Sequence, residues 1–168
     1  MSVDRFIDTN VFVYLFDETS VEKSGIAEEL IRQSLDDGSG CISYQVVQET
    51  INVLVRKLEA PPQQVRLFLD NVLEPLWRVN SSRGLLRRAL ELQSRYRFGF
   101  YDSLIIAAAL DAGCSVLYTE DLQHGQQIEG LTIINPFHTP PSGQPEPRFA
   151  AITHRPGALQ RFLDERNE

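Results

Sequence analysis

The chain has 168 residues, 42% hydrophobic and 23% charged, which excludes a wholly disordered or low-complexity protein and suffices for one domain with a sizeable core. Sixteen Lys and Arg against 23 Asp and Glu leave a net charge of −7, so any action on nucleic acid calls for local basic residues or a bound cation. No apolar run approaches the roughly 20 residues of a membrane span, the first residues carry no secretory signal, and Cys41 and Cys114 lack metal-site spacing, so a cytoplasmic protein with reduced thiols and no membrane association is expected.

In chain order, Arg5-Phe6-Ile7-Asp8 reads as a short first strand. A helix follows, with Ile26, Leu30, Ile31 and Leu35 at helical spacing and a stop at Asp37-Gly38. Cys41-Ile42-Ser43 is a second strand, and a helix over 44–60 ends at Pro61-Pro62. Helices are expected at 63–74 and 82–97, with Trp77-Arg78-Val79 as a strand between them. Leu104 to Leu110 is apolar on every side, reads as a buried helix and stops at Gly113. Ser115 to Thr119 and Leu131 to Ile134 complete the strands. Strands separated by helices imply a parallel sheet covered on both faces, with ligands gathering beyond the carboxyl ends of the strands. After Asn135 the composition changes. Five prolines between Pro136 and Pro147 mark an extended linker, followed by a short helical tail carrying Leu159, Phe162 and Leu163. The expected division is a domain over 1–137 and a linker with tail over 138–168.

Four acids stand where that sheet would collect them. Asp8 ends the first strand, Asp102 opens the buried helix, and Asp121 follows the strand Ser115–Thr119. Glu49 lies in the helix after the second strand, on a polar strip with Gln45, Asn52 and Arg56, away from the buried stripe expected of Val47, Ile51, Leu54 and Leu58. Each aspartate alone is better explained as a helix or turn cap, and Glu49 alone as a solvated side chain. Together they imply convergence. Two carboxylates 4 Å apart repel by about 4 kcal/mol at an effective dielectric near 20, so such a cluster takes up protons or binds a cation. Oxygen ligands without a Cys or His set favour Mg²⁺ or Mn²⁺, and the natural chemistry is phosphodiester hydrolysis.

Four blocks carry a family resemblance: Phe6-Ile7-Asp8-Thr9-Asn10-Val11, Ile42 to Glu49 continuing through Asn52-Val53-Leu54, Phe100-Tyr101-Asp102-Ser103-Leu104-Ile105, and Leu117-Tyr118-Thr119-Glu120-Asp121-Leu122. In this order the chain resembles the PIN-domain nucleases, especially the toxin branch of bacterial VapBC toxin–antitoxin modules. The resemblance implies a three-layer α/β/α fold with a central parallel sheet and a metal-dependent ribonuclease for single-stranded RNA. It also implies a homodimer and a small antitoxin partner. Carried over, Asp8 and Asp102 are principal metal ligands and Asp121 completes the acidic pocket. Glu49 orients water or a second metal, and Asn10 holds the active-site loop. Of the neighbours Glu120 and Asp121, Thr119-x-Asp121 fits the family pattern. The tail after residue 137 departs from a minimal PIN domain.

Arg83 and Arg87 lie one turn apart on a helix and, like Arg56 beside Glu49, either guide an RNA backbone or belong to a solvated face balanced by Glu91. His124 reads as a loop residue, and the cysteines as small core fillers. An aspartyl phosphatase would need a carboxylate where Asn10 stands. A phospho-acceptor receiver would need a lysine after the last strand, and only Lys23 and Lys57 occur. No glycine-rich phosphate loop is present. The rival that survives is a PIN-fold RNA-binding or complex-forming module without catalytic activity.

Overall fold

Strands at Arg5–Ile7 (β1), Gly40–Ser43 (β2), Trp77–Val79 (β3), Val116–Tyr118 (β4), Gln127–Ile128 (β5) and Leu131–Ile134 (β6) form one sheet, ordered β3-β2-β1-β4-β6-β5. The computed structural model describes residues 2–139 and 162–164. Every pairing is parallel except β5 with β6, which form an antiparallel hairpin at one edge. All four β2 residues and both Phe6 and Ile7 of β1 are buried, as expected of central parallel strands covered on two faces.

Helices α1 (Thr9–Tyr14), α2 (Val21–Asp36), α3 (Tyr44–Arg56), α4 (Pro62–Phe68), α5 (Glu74–Leu76), α6 (Arg83–Tyr96) and α7 (Phe100–Asp111) flank the sheet in a three-layer α/β/α arrangement. A π-helical turn at Leu69–Leu73 joins α4 to α5, so the helix expected over 63–74 is one helical run over 62–76. Ile105 through Ala109 of α7 are all buried, which explains why no polar face interrupts that stretch. Gly40 marks a close approach: a Cβ there would stand 2.6 Å from Leu76 Cδ2 and 2.7 Å from Ser34 Cβ. Cys41 and Cys114 are buried.

Some expectations need correction. The helix after β2 stops at Arg56, not residue 60: Lys57 and Leu58 both turn their N–H groups to the Val53 carbonyl, and Glu59 is left-handed at φ 46°. Its buried stripe is Val46, Val47, Thr50 and Leu54, while Leu58 is exposed. A pattern counting only apolar residues passes over Thr50 and so rotates the stripe. Of the tail, residues 162–164 are helical, with Phe162 and Leu163 buried and the Arg32 guanidinium 5.8 Å from the Phe162 ring centre. The linker and the rest of the tail, from residue 140 to 161 and beyond 164, lie outside the described residues. Among the described residues no helix is long and apolar enough to cross a membrane.

Candidate active site

The strand order reverses direction at β1: its neighbours are β2 on one side and β4 on the other, with the chain leaving both β1 and β4 at the same edge. Ile7 pairs with Tyr118, so the next residues, Asp8 and Thr119, face each other just beyond the sheet. This is the crevice where open α/β sheets collect ligands. Asp8 is the N-cap of α1. Its Oδ1 accepts from the Thr9 N–H at 2.7 Å and its Oδ2 from the Thr119 hydroxyl at 2.8 Å. Only 6% of the residue is exposed.

Two neutral side chains extend this network. The Thr119 hydroxyl also accepts from Asn10 Nδ2 at 3.2 Å and from the Asp121 N–H at 3.1 Å, and Asn10 Nδ2 donates to Asp121 Oδ2 at 3.1 Å. On the other side, the Thr9 hydroxyl donates to Glu49 Oε2 at 2.8 Å, and Gln45 Nε2 donates to Glu49 Oε1 at 2.8 Å. Ser43 starts α3 as its N-cap, which turns the chain out of β2 and brings Glu49 over α1. Asp8, Glu49 and Asp121 are thus joined through hydroxyls and amides into one set.

Asp102 reaches the set by charge. It sits in the first turn of α7 behind Gly99, makes no capping hydrogen bond, and has its carboxyl pushed up by burial and then by the charges of Asp121 and Glu49. Asp8 is shifted further. Burial is the leading cause, the hydrogen bonds from Thr119 and Thr9 oppose it, and Asp121 and Glu49 add to it, leaving the carboxyl at about 7 instead of 3.8. Among the described residues none of the four acids is in a salt bridge. Among the described residues, Asn10 Oδ1 and Gln45 Oε1 are buried with no hydrogen-bond partner.

Capping therefore accounts for part of Asp8 and none of Asp102. Glu120, the neighbour of Asp121, faces elsewhere: Lys23 Nζ lies 3.1 Å from its Oε2 and the Tyr14 hydroxyl donates to its Oε1. Arg56, Arg83 and Arg87 are exposed, and none is joined to the four acids by a hydrogen bond or ion pair. His124 accepts the Asn135 N–H at Nδ1 and stacks on His138. The residues sequence reasoning gave no role are Thr9, Thr119 and Gln45. All three stand inside the matched blocks, and Gln45 is also one helical turn before Glu49, a spacing at which side chains meet.

The donor set suits a hard cation: carboxylate and amide oxygens, one carboxylate held in burial at an energetic cost, and an orphaned amide oxygen beside it. Among the described residues no group of three or more His, Cys, Asp or Glu side chains is disposed to hold an ion as it stands. The PIN domain profile matches residues 5–126, nearly three-quarters of the chain and all four acids. The chain belongs to the PIN-domain family. Two solved PIN-like neighbours bear out the fold. One is a toxin–antitoxin complex from Klebsiella pneumoniae, 22% identical, covering 81% of this chain and 100% of that one with a TM-score of 0.58. The other is Mycobacterium tuberculosis VapC20, a toxin that cleaves the sarcin-ricin loop, 20% identical, covering 70% of this chain and 90% of that one with a TM-score of 0.52. No curated protein matches the chain significantly.

Proposed function

We propose that the chain is a Mg²⁺-dependent endoribonuclease that hydrolyses phosphodiester bonds of single-stranded RNA, with Mn²⁺ able to substitute. We take it to be the toxin of a type II toxin–antitoxin module of the VapC kind. The observation that carries this reading is the uncompensated acid cluster, in which burial, and after it the charges of Asp121 and Glu49, hold the Asp8 carboxyl at about 7. Family membership and the named activities of the two neighbours support it.

Asp8, Asp102 and Asp121 hold the cation, and among the described residues the Asp102 carboxylate has no hydrogen bond to give up in doing so. Bound Mg²⁺ supplies Lewis acidity at the phosphoryl group and makes water a stronger nucleophile. Glu49, held by Thr9 and Gln45, orients the attacking water, and Asn10 keeps the loop bearing Asp121 against Thr119. Arg56, on the same helix as Glu49, and Arg83 and Arg87 on α6 attract the RNA backbone towards an otherwise acidic surface. A small antitoxin protein is the partner, the protein is a homodimer, and its place is the cytoplasm.

The test is cleavage of a labelled single-stranded oligoribonucleotide with Mg²⁺. Wild-type protein is expected to cleave it, EDTA to stop it, and Asp8→Asn to reduce cleavage to background with an unchanged circular dichroism spectrum. Binding without cleavage in both proteins would leave the PIN-fold RNA-binding module instead.

A further inference from the structure

We propose that Gln45 is a positioning residue that fixes the Glu49 carboxylate towards the acid cluster, an inference that rests on the hydrolase reading above. Both Glu49 oxygens are held, one by Gln45 Nε2 from within α3 and the other by the Thr9 hydroxyl from α1, each at 2.8 Å. A glutamate on a helix surface otherwise samples many rotamers, and a general base or water-orienting group loses effectiveness with every rotamer that points elsewhere. Thr9 alone leaves one oxygen unheld, and Gln45 closes the second.

The cost of this arrangement shows why the amide is there. Gln45 Oε1 is buried and has no partner among the described residues, so the side chain satisfies Glu49 and leaves its own carbonyl unpaired. An unpaired buried acceptor lowers stability, and an apolar side chain of similar length would avoid it. Reversing the amide does not help, because it would set the carbonyl oxygen against the Glu49 carboxylate. The helix gains only the modest support of an i,i+4 hydrogen bond from this orientation, while the Glu49 carboxylate gains a fixed direction. A structural residue and a positioning residue therefore predict opposite outcomes for Gln45→Met, which keeps the length and removes both the donor and the orphan.

The experiment compares wild type, Gln45→Met, Glu49→Ala and the double variant by thermal unfolding, by Mn²⁺ titration of the RNA-free protein, and by cleavage of a single-stranded oligoribonucleotide. Gln45→Met is expected to melt at or above the wild-type temperature. Its kcat is expected to fall about tenfold with KM within about twofold, and its Mn²⁺ affinity to stay near wild type, because Glu49 is not among the residues that hold the cation. In the Glu49→Ala background the same substitution is expected to change kcat no further, since Gln45 acts through Glu49. Wild-type kcat in Gln45→Met, a loss of activity that tracks a loss of stability, or additive effects in the double variant would each overturn the proposal. A wild-type protein that neither cleaves RNA nor binds Mn²⁺ would overturn the hydrolase reading and this inference with it, a result distinct from the other three.

Discussion

Glu120 and Asp121 are consecutive, yet among the described residues the fold gives the first carboxylate a lysine and a phenol and the second only the Asn10 amide. The same contrast separates whole regions. At the β5–β6 hairpin Glu129 meets both Arg88 and Arg95 of α6, while at the β1–β4 edge Asp8, Glu49 and Asp121 meet hydroxyls and amides alone. With only 16 Lys and Arg for 23 Asp and Glu, the chain sets Lys23, Arg88 and Arg95 at acids that brace the structure. Asp8 and Asp102, which meet no base among the described residues, are instead pushed by burial and by neighbouring carboxylates towards their protonated forms, a cost that a cation from solution would relieve.

Asp121→Asn and Glu120→Gln are adjacent and chemically alike, so they break that comparison most sharply. Asp121→Asn is expected to lower RNA cleavage by more than about 100-fold, beyond the usual loss for a group supporting a metal ligand. Glu120→Gln is expected to leave cleavage within about twofold, because its partners Lys23 and Tyr14 lie outside the acid set. Steady-state rates on one oligoribonucleotide decide it, and equal losses in the two variants would remove the distinction between bracing and reserved acids.

Much of this division was legible before the fold. Asp8, Asp102 and Asp121 announce themselves because a strand end or helix start is a one-dimensional signal, and Glu49 because its helix has a readable polar strip. What could not be read was the material between them. The hydroxyl of Thr9 meets Glu49 across 40 residues and that of Thr119 meets Asp8 across 111, and no periodicity links positions so distant. Helix α1 was missed because Thr9–Tyr14 is short and rich in β-branched and aromatic residues, a strand-like composition overridden by the Asp8 cap and by burial of Val11 and Phe12. Strand β5 has two residues, too few for any alternation. The helix expected over 82–97 is α6, Arg83–Tyr96, and it ends with Arg97 rather than a glycine in the left-handed position, at φ 61°.

The uncompensated region also has a pH signature. Folded Asp8 keeps its proton up to about 7, whereas in the unfolded chain it loses it near 3.8. Between those values the folded state binds more protons, so raising the pH destabilises it. The penalty is absent below about pH 4 and complete above about pH 7, where it is about 4 kcal/mol, or on the order of 10 °C in Tm. Melting curves in EDTA from pH 4.5 to 8.5 are expected to fall for wild type and to be flatter for Asp8→Asn, which is the more stable protein at pH 8. Millimolar Mn²⁺ is expected to recover part of the wild-type loss at high pH, since it binds the folded state alone. Parallel curves for the two proteins would show that Asp8 carries no such burden.

The braced region predicts a small effect of the opposite sign. Glu129 sits at the hairpin in a left-handed conformation, with Arg95 3.4 Å from one oxygen and Arg88 on the other, and the arginines are substantially exposed. Exposed pairs contribute about 0–1 kcal/mol and are screened by salt. Glu129→Gln keeps the shape and removes the charge, so it is expected to lower Tm by about 1–3 °C at low ionic strength and by less in 0.5 M salt, with RNA cleavage unchanged. Neutralising a carboxylate thus destabilises where a base awaits it and stabilises where none does. The sign of the two shifts, more than their size, identifies which acids the fold keeps for itself.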